Sequence, residues 1–243
     1  MRDASELRTA LRGERPVVGL WASIPSSLTA EAAAEAGADY VVVDQQHGAV
    51  DAPAMTAMLQ AIQAGGAAPL VRVARNEPWT IGNALDLGAA GVIVPMVEDA
   101  RQAAAAVSAC RYAPEGERSF GALRGGAPEP PLCLVMIETR AGLARVEEIA
   151  AAPGLDGIYI GPSDLALTLG LQPTLRLEHP PVLEAIERVR AVCEAAGVIA
   201  GLHCLAAEDA AAYAATFAMV TAGGDMLYLR DALASALATA RPA

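Results

Sequence analysis

The sequence predicts an α/β protein, a (β/α)8 barrel of the TIM type, from three observations. Short apolar runs such as Val17-Val18-Gly19-Leu20-Trp21 alternate with Ala-rich segments of helical periodicity. The alternation repeats eight times, and 243 residues is close to the ~250 that eight strand–helix units need. The whole chain, residues 1–243, is therefore read as a single barrel domain. A doubly wound open sheet is the alternative fold, but no G-x-G-x-x-G follows the first strand to favour it.

The strands are expected at Val17–Ser23, Tyr40–Asp44, Pro69–Val73, Gly91–Pro95, Leu132–Ile137, Leu155–Ile160, Val198–Leu202 and Phe217–Thr221. Helices are expected at Leu28–Ala36, Ala52–Ala64, Thr80–Leu87, Asp99–Ala109, Ala141–Ala151, Val182–Ala196, Ala207–Ala215 and Asp225–Ala240. Gly37, Gly88, Gly154 and Gly197 stand at helix-to-strand junctions, where a left-handed C-cap needs them. Arg111–Pro131 breaks the periodicity with Pro, Gly and Arg and reads as a long active-site or interface loop.

Composition excludes several classes of function. The 28 acidic and 17 basic residues give a formal net charge of -11, the wrong sign for a phosphate backbone or an anionic membrane surface. All basic residues are arginine, so neither a Schiff-base lysine nor a pyridoxal phosphate anchor is available. Met1 to Pro16 lacks the apolar core of a signal peptide, and the uncharged stretch Ala210–Gly224 is shorter than the roughly 20 residues of a membrane helix. A cytoplasmic protein is expected. Cys110, Cys133, Cys193 and Cys204 are scattered without a C-x-x-C pair and read as buried structural thiols.

In a β/α barrel the functional side chains sit at the carboxyl ends of the strands. Val41-Val42-Val43 runs into Asp44-Gln45-Gln46-His47-Gly48, and Arg72 lies within Leu70-Val71-Arg72-Val73. Val135-Met136-Ile137 ends in Glu138-Thr139-Arg140, and Ile158-Tyr159-Ile160 runs into Gly161-Pro162-Ser163-Asp164. Glu138 and Asp164 would project into the barrel mouth from neighbouring units, where two carboxylates share a proton or recruit a hard divalent ion. Equally, Glu138 pairs with Arg140 and Asp164 caps a helix at Leu165–Leu169.

Arg72 among apolar neighbours needs an anion, either a ligand carboxylate or enolate, or an internal bridge to Asp44 or Glu138. His47 beside Gly48 is a candidate general base. Asp86, in the otherwise apolar helical segment Ile81–Gly88, is a candidate partner for it. His179 before Pro180-Pro181 reads as structural, His203 at the end of the seventh strand is a secondary site candidate, and Trp21 either walls the pocket or packs. The Gly161–Asp164 turn offers backbone N–H groups to a small carboxylate.

These residues together resemble the HpcH/HpaI aldolase family. The resemblance is carried by Gly19-Leu20-Trp21, Val43 to Gly48, Val71-Arg72-Val73, Leu85 to Gly88, Val94-Pro95-Met96-Val97, Ile137 to Arg140 and Gly161 to Leu165, from about Leu11 to Leu237. It implies a phosphoenolpyruvate/pyruvate-type barrel whose C-terminal helix is exchanged between subunits of a homohexamer, a trimer of dimers. It implies a metal-dependent class II aldehyde-lyase that cleaves 4-hydroxy-2-oxo acids reversibly to pyruvate and an aldehyde.

By matched position, Glu138 and Asp164 would bind the ion, whether Mg2+, Mn2+, Co2+ or Zn2+. Arg72 would stabilise the enolate, and His47 with Asp86 would move the proton. Trp21, Gly161, Pro162 and Ser163 would bind substrate. The chain departs from many members at Gln46, where they place a glutamate, and at Met136, where they place a glutamine. The loop after Arg118 is shorter than in those members, and in the family this region approaches a neighbouring subunit's site. Two other functions share the fold: a CoA-thioester lyase of the citrate lyase β type, for which no basic cluster is evident, and a non-catalytic 2-oxo acid binding barrel.

Overall fold

The computed structural model describes residues 3–124 and 130–241. The chain order is α1 (Ala4–Leu11), β1 (Val17–Ala22), α2 (Ser27–Glu35), β2 (Tyr40–Asp44), α3 (Ala52–Gly65), β3 (Ala68–Arg72), α4 (Pro78–Asp86), β4 (Gly91–Val94), α5 (Ala100–Cys110) and β5 (Leu132–Ile137). It continues with α6 (Arg140–Ala144), α7 (Val146–Ala150), β6 (Gly157–Ile160), α8 (Pro162–Thr168), α9 (Pro180–Ala196), β7 (Ile199–Cys204), α10 (Ala207–Tyr213), β8 (Met219–Gly224) and α11 (Asp225–Ala240). The eight strands form a closed barrel in sequence order, and each neighbouring pair is parallel, with β1 closing on β8. The expected (β/α)8 fold is the observed one.

Two apolar layers hold it. The outward faces of the strands pack under the helices, with Val41, Val43, Val71, Val92, Val135 and Ile158 meeting Met55, Leu59, Ile81, Val107, Ile149 and Ile186. The barrel interior is a separate cluster that includes Val42, Leu70, Ile93, Leu132, Leu134 and Met219. The alternating residues of each strand therefore serve both layers, which is why the strands read as continuous apolar runs. α1, which the composition of the N-terminus did not announce, joins this inner cluster through Ala4, Leu7 and Leu11. Arg8 ties it down through Nε to Asp156 Oδ1 at 3.2 Å and Nη2 to the Pro130 carbonyl at 3.1 Å.

Several elements depart from the expected bounds, among them β6, which starts at Gly157 rather than Leu155, and two departures have a plain local cause. The helix expected over Ala141–Ala151 is two short helices, because Arg145 takes φ -120 and ψ 21 and its N–H turns back to the Gly142 carbonyl at 3.1 Å. β8 begins two residues late: Phe217 N–H closes onto the Tyr213 carbonyl at 3.0 Å, and its ring packs edge-on against Tyr213, 5.7 Å between centroids. The junction glycines do take left-handed backbone, as at Gly197 with φ 70. The four cysteines are buried free thiols. Part of the expected loop Arg111–Pro131, residues 125–129, lies outside the described residues. Among the described residues no helix is long and apolar enough to cross a membrane.

Candidate active site

Inside the barrel, polarity rises along the strands. Above the apolar floor, the Thr221 hydroxyl bonds to the hydroxyls of Tyr40, at 2.9 Å, and of Tyr159. Burial pushes both phenols well above their ordinary range, so they are neutral hydrogen-bonding groups. The Tyr159 ring lies where a Cβ at residue 201 would stand, 2.5 Å from it, so Gly201 is what admits the ring. The charged groups of the mouth stand above this layer, at the carboxyl ends of β2, β3 and β5 and in the first turn of α8.

Asp44 and Arg72 are neighbours in register at the ends of β2 and β3. The guanidinium forks onto the carboxylate, Nε to Oδ1 at 2.9 Å and Nη2 to Oδ2 at 2.6 Å, and both residues are buried. Burial pushes the Asp44 carboxyl up, but Arg72, a Trp21 hydrogen bond and the His47 amide outweigh it and hold the group below the usual carboxylate range. Of the two partners open to Arg72, Asp44 is the one chosen. The Arg72 carbon Cζ also sits 5.0 Å from the centroid of the Trp21 ring, which both packs and walls the mouth. Asp44 does a second job that the sequence did not announce. Its Oδ1 accepts the amide N–H of Gln46 at 3.0 Å and of His47 at 3.3 Å, so one carboxylate aims the arginine and shapes the turn that carries His47.

Glu138 follows β5 and is buried, 1% exposed. Its Oε1 accepts the Met96 N–H at 2.7 Å, for which Met96 adopts φ 58, a left-handed conformation uncommon outside glycine. Desolvation raises the Glu138 carboxyl to about 7; the Met96 amide opposes this, and the charge of Asp164 adds to it. The alternative pairing with Arg140 does not form, since the Arg140 Nε donates to the Thr168 carbonyl at 3.2 Å. Nor does Asp164 cap a helix: it lies in the first turn of α8, whose N-cap is Gly161. A Cβ at Gly161 would stand 2.7 Å from Glu138 Oε2, so the absent side chain leaves a cradle over that oxygen. Pro162 and Ser163 open α8 beside it.

A buried carboxyl repelled by a second one, with an open cradle above it, is a fit for a cation. Among the described residues no group of three or more His, Cys, Asp and Glu side chains is placed to hold a metal. Two carboxylates with space for waters and ligand oxygens are a donor set for a hard ion rather than for a closed zinc site.

The expected pairing of His47 with Asp86 is not formed within one chain. Asp86 ends α4, and its Oδ1 accepts from Arg118 Nη2 at 2.6 Å. Among the described residues no hydrogen bond or ion pair joins it to the exposed His47. The aspartate is satisfied instead by Arg118, whose side chain is buried and lies 4.8 Å from the Tyr112 ring centroid. His203 is brought into the site, its ring edge-on to Trp21 at 4.6 Å. Burial, then the Arg72 charge, lowers its pKa to about 4, so it is neutral, and among the described residues its buried Nδ1 has no hydrogen-bond partner. His179 is structural, at the N-cap of α9 with Nε2 against the Gln172 carbonyl at 2.9 Å.

Arginine and carboxylates gathered at the carboxyl end of a parallel barrel, over an apolar floor, define the working face of a (β/α)8 enzyme. The chain belongs to the HpcH/HpaI aldolase/citrate lyase family, whose model matches residues 17–232. A hydroxypyruvate/pyruvate aldolase of Rhizorhabdus wittichii is 41% identical over 98% of this chain and 99% of its own length. A 5-keto-4-deoxy-D-glucarate aldolase of Klebsiella pneumoniae is 35% identical over 94% of this chain and 93% of its own. Among solved structures, an HpcH/HpaI aldolase/citrate lyase family protein from Burkholderia cenocepacia superposes with TM-score 0.89 at 33% identity, covering 98% of this chain and 100% of that one.

Proposed function

We propose that the protein is a class II carbon–carbon lyase, an aldolase that cleaves 4-hydroxy-2-oxo acids reversibly to pyruvate and an aldehyde. The observation that carries this reading is the cradle at Gly161, which leaves the buried Glu138 carboxylate open beside Asp164 and across the mouth from the forked Arg72. Glu138 and Asp164 would hold the divalent ion, and the two-carboxylate set favours Mg2+, Mn2+ or Co2+ over Zn2+. Such an ion supplies Lewis-acid polarisation of the 2-oxo acid and positive charge for the enolate oxygen.

The chain's own residues supply the rest. Arg72, pre-aimed by Asp44, donates to the keto oxygen as its charge grows. The backbone at Gly161, Pro162 and Ser163 receives the carboxylate, and Trp21 closes the side of the pocket. His47 takes the proton of the C4 hydroxyl while the C3–C4 bond breaks. The electron pair then passes into C2–C3, and a proton returned to C3 completes pyruvate. Asp86 is held by Arg118 in a segment that approaches a neighbouring site in the family. Assembly into a homohexamer, a trimer of dimers, is thus the route by which an aspartate reaches His47.

Residues 1–243 are taken as one barrel domain of a cytoplasmic protein. The relatives described above are named as aldolases, which favours this reading over a CoA-thioester lyase or a binding barrel.

The test is proton exchange. Protein, pyruvate and Mg2+, Mn2+ or Co2+ are incubated in D2O, and the methyl proton signal is followed with and without EDTA. Metal-dependent loss is expected, abolished in Asp164→Asn and slowed about 100-fold in His47→Ala. Exchange that persists under EDTA would overturn the metal mechanism. Tight pyruvate binding without exchange would favour a binding barrel.

A further inference from the structure

At the amino end of the barrel, opposite the mouth, a cavity of about 620 Å3 lies between α1, the end of α9 and the chain entering β6 and β7. That volume is of the size that takes a small metabolite. Its floor is apolar. Leu11, Leu155, Val198, Ile199 and Ala218 line it, and Val198 and Ile199 are only half-buried.

The α1 wall is cationic. Arg8 and Arg12 line the cavity four residues apart, so they share a face of the helix. Arg8 and Arg111 converge on one carboxylate, with Arg8 Nη2 3.1 Å from Asp156 Oδ1 and Arg111 Nη2 3.2 Å from Oδ2. Asp156 Oδ2 also accepts the Cys133 amide at 2.8 Å. Two guanidiniums against one carboxylate leave a positive charge over. Arg12 adds another, since among the described residues no hydrogen bond or ion pair holds its exposed guanidinium. Across the cavity, Arg190 is held by Glu187 at 2.9 Å and Glu194 at 3.1 Å and adds no further cation. The sign on the α1 wall is thus opposite to the net charge of -11 on the whole chain. Arg8 Nη1 is moreover buried and has no hydrogen-bond partner among the described residues. A buried donor without an acceptor is destabilising, and an anion at this wall offers one.

We propose that this cavity is a second binding site, for an organic carboxylate with an apolar body. The carboxylate lies against Arg8 and Arg12, and the body covers Leu155, Ile199 and Ala218. Guanidiniums suit a carboxylate because their planar donors meet both of its oxygens. Barrel chemistry belongs to the carboxyl ends of the strands, so a ligand here touches no reacting group, and the inference stands apart from the aldolase reading.

Calorimetric titration with octanoate, its neutral amide octanamide and inorganic phosphate tests this. Octanoate is expected to bind about tenfold more tightly than octanamide, which lacks the charge, and about tenfold more tightly than phosphate, which lacks the apolar body. Arg12→Gln should weaken octanoate about tenfold and leave octanamide unchanged. Ala215→Trp, which fills the cavity from an exposed position on its rim, should weaken both. Saturating pyruvate with Mg2+ should leave octanoate binding in place, and pyruvate exchange in Arg12→Gln should match the wild type.

Absence of octanoate binding, equal binding of acid and amide, or undiminished binding in Arg12→Gln would overturn the proposal. Displacement of octanoate by pyruvate would put the acid in the mouth and overturn it as well. Phosphate binding as tightly as octanoate would overturn the assignment of an apolar body.

Discussion

At the scale of single residues, the mouth works by what is withheld as much as by what is present. Gly161 withholds a side chain from the space over Glu138 Oε2. Gly161→Ala should leave the barrel folded but displace Glu138, and thermal stabilisation by Mn2+ should fall to a small part of the wild-type shift. A differential scanning experiment with and without the ion checks this. His203 carries a pH dependence whose sign follows from its environment. Its folded pKa is depressed to about 4 from 6.5, so between those values the unfolded chain binds the extra proton. Stability from the buried neutral ring is complete above about pH 6.5 and is lost as pH falls through about 4. His203→Gln should therefore show a flatter decline in unfolding free energy from pH 7 to pH 4, measured by urea titration at each pH.

At the scale of elements, the site is made by strand ends and tuned by short connections. The charged and aromatic groups that crowd the mouth come from β1, β2, β3, β7, the turn after β5 and the first turn of α8, and adjacency in the sheet places those on the strands. Asp44 and Arg72 meet because parallel register places the two strand ends side by side, so the fork needs no long-range search. α1 acts at the other end of the barrel. Leu7 is fully buried in the inner cluster, and Leu7→Ala should cost about 2–5 kcal/mol. Urea unfolding followed by circular dichroism measures that loss, and pyruvate exchange in the surviving folded protein should change little because the site lies at the opposite face.

At the scale of the whole molecule, α11 stands apart. Its sixteen residues include none that is buried, yet Met226, Tyr228, Leu229, Leu233 and Leu237 expose large apolar side chains. Its start is anchored, with the Asp225 carboxylate accepting the amides of Ser23 and Ile24 at 3.0 and 3.1 Å and the Tyr228 hydroxyl donating to the Ala222 carbonyl. A helix of this kind buries its apolar residues in a partner. The exchange of the C-terminal helix between subunits, which the resemblance implies, is the proposal that would cover them. Leu229→Glu with Leu233→Glu should shift the protein to smaller species in light scattering coupled to size exclusion. Exchange activity should fall with it if assembly brings Asp86 to His47.

The sequence by itself determined the barrel and most of the mouth. Strand–helix alternation is local, it repeats eight times, and in a closed parallel barrel each polar residue at a strand end reaches the same face, so Asp44, Arg72, Glu138 and Asp164 were legible one by one. α1 and the division of the helix after β5 were not, because a charged amphipathic start and a single backbone turn at Arg145 leave no period to read. Only the tertiary structure decided who pairs with whom. Asp44 rather than Glu138 took Arg72, Met96 gave Glu138 its amide, and Arg118 claimed Asp86. Such pairings depend on distances of a few ångströms between segments far apart in the chain. One-dimensional spacing does not encode them, whereas hydrogen bonding and desolvation in the folded barrel do.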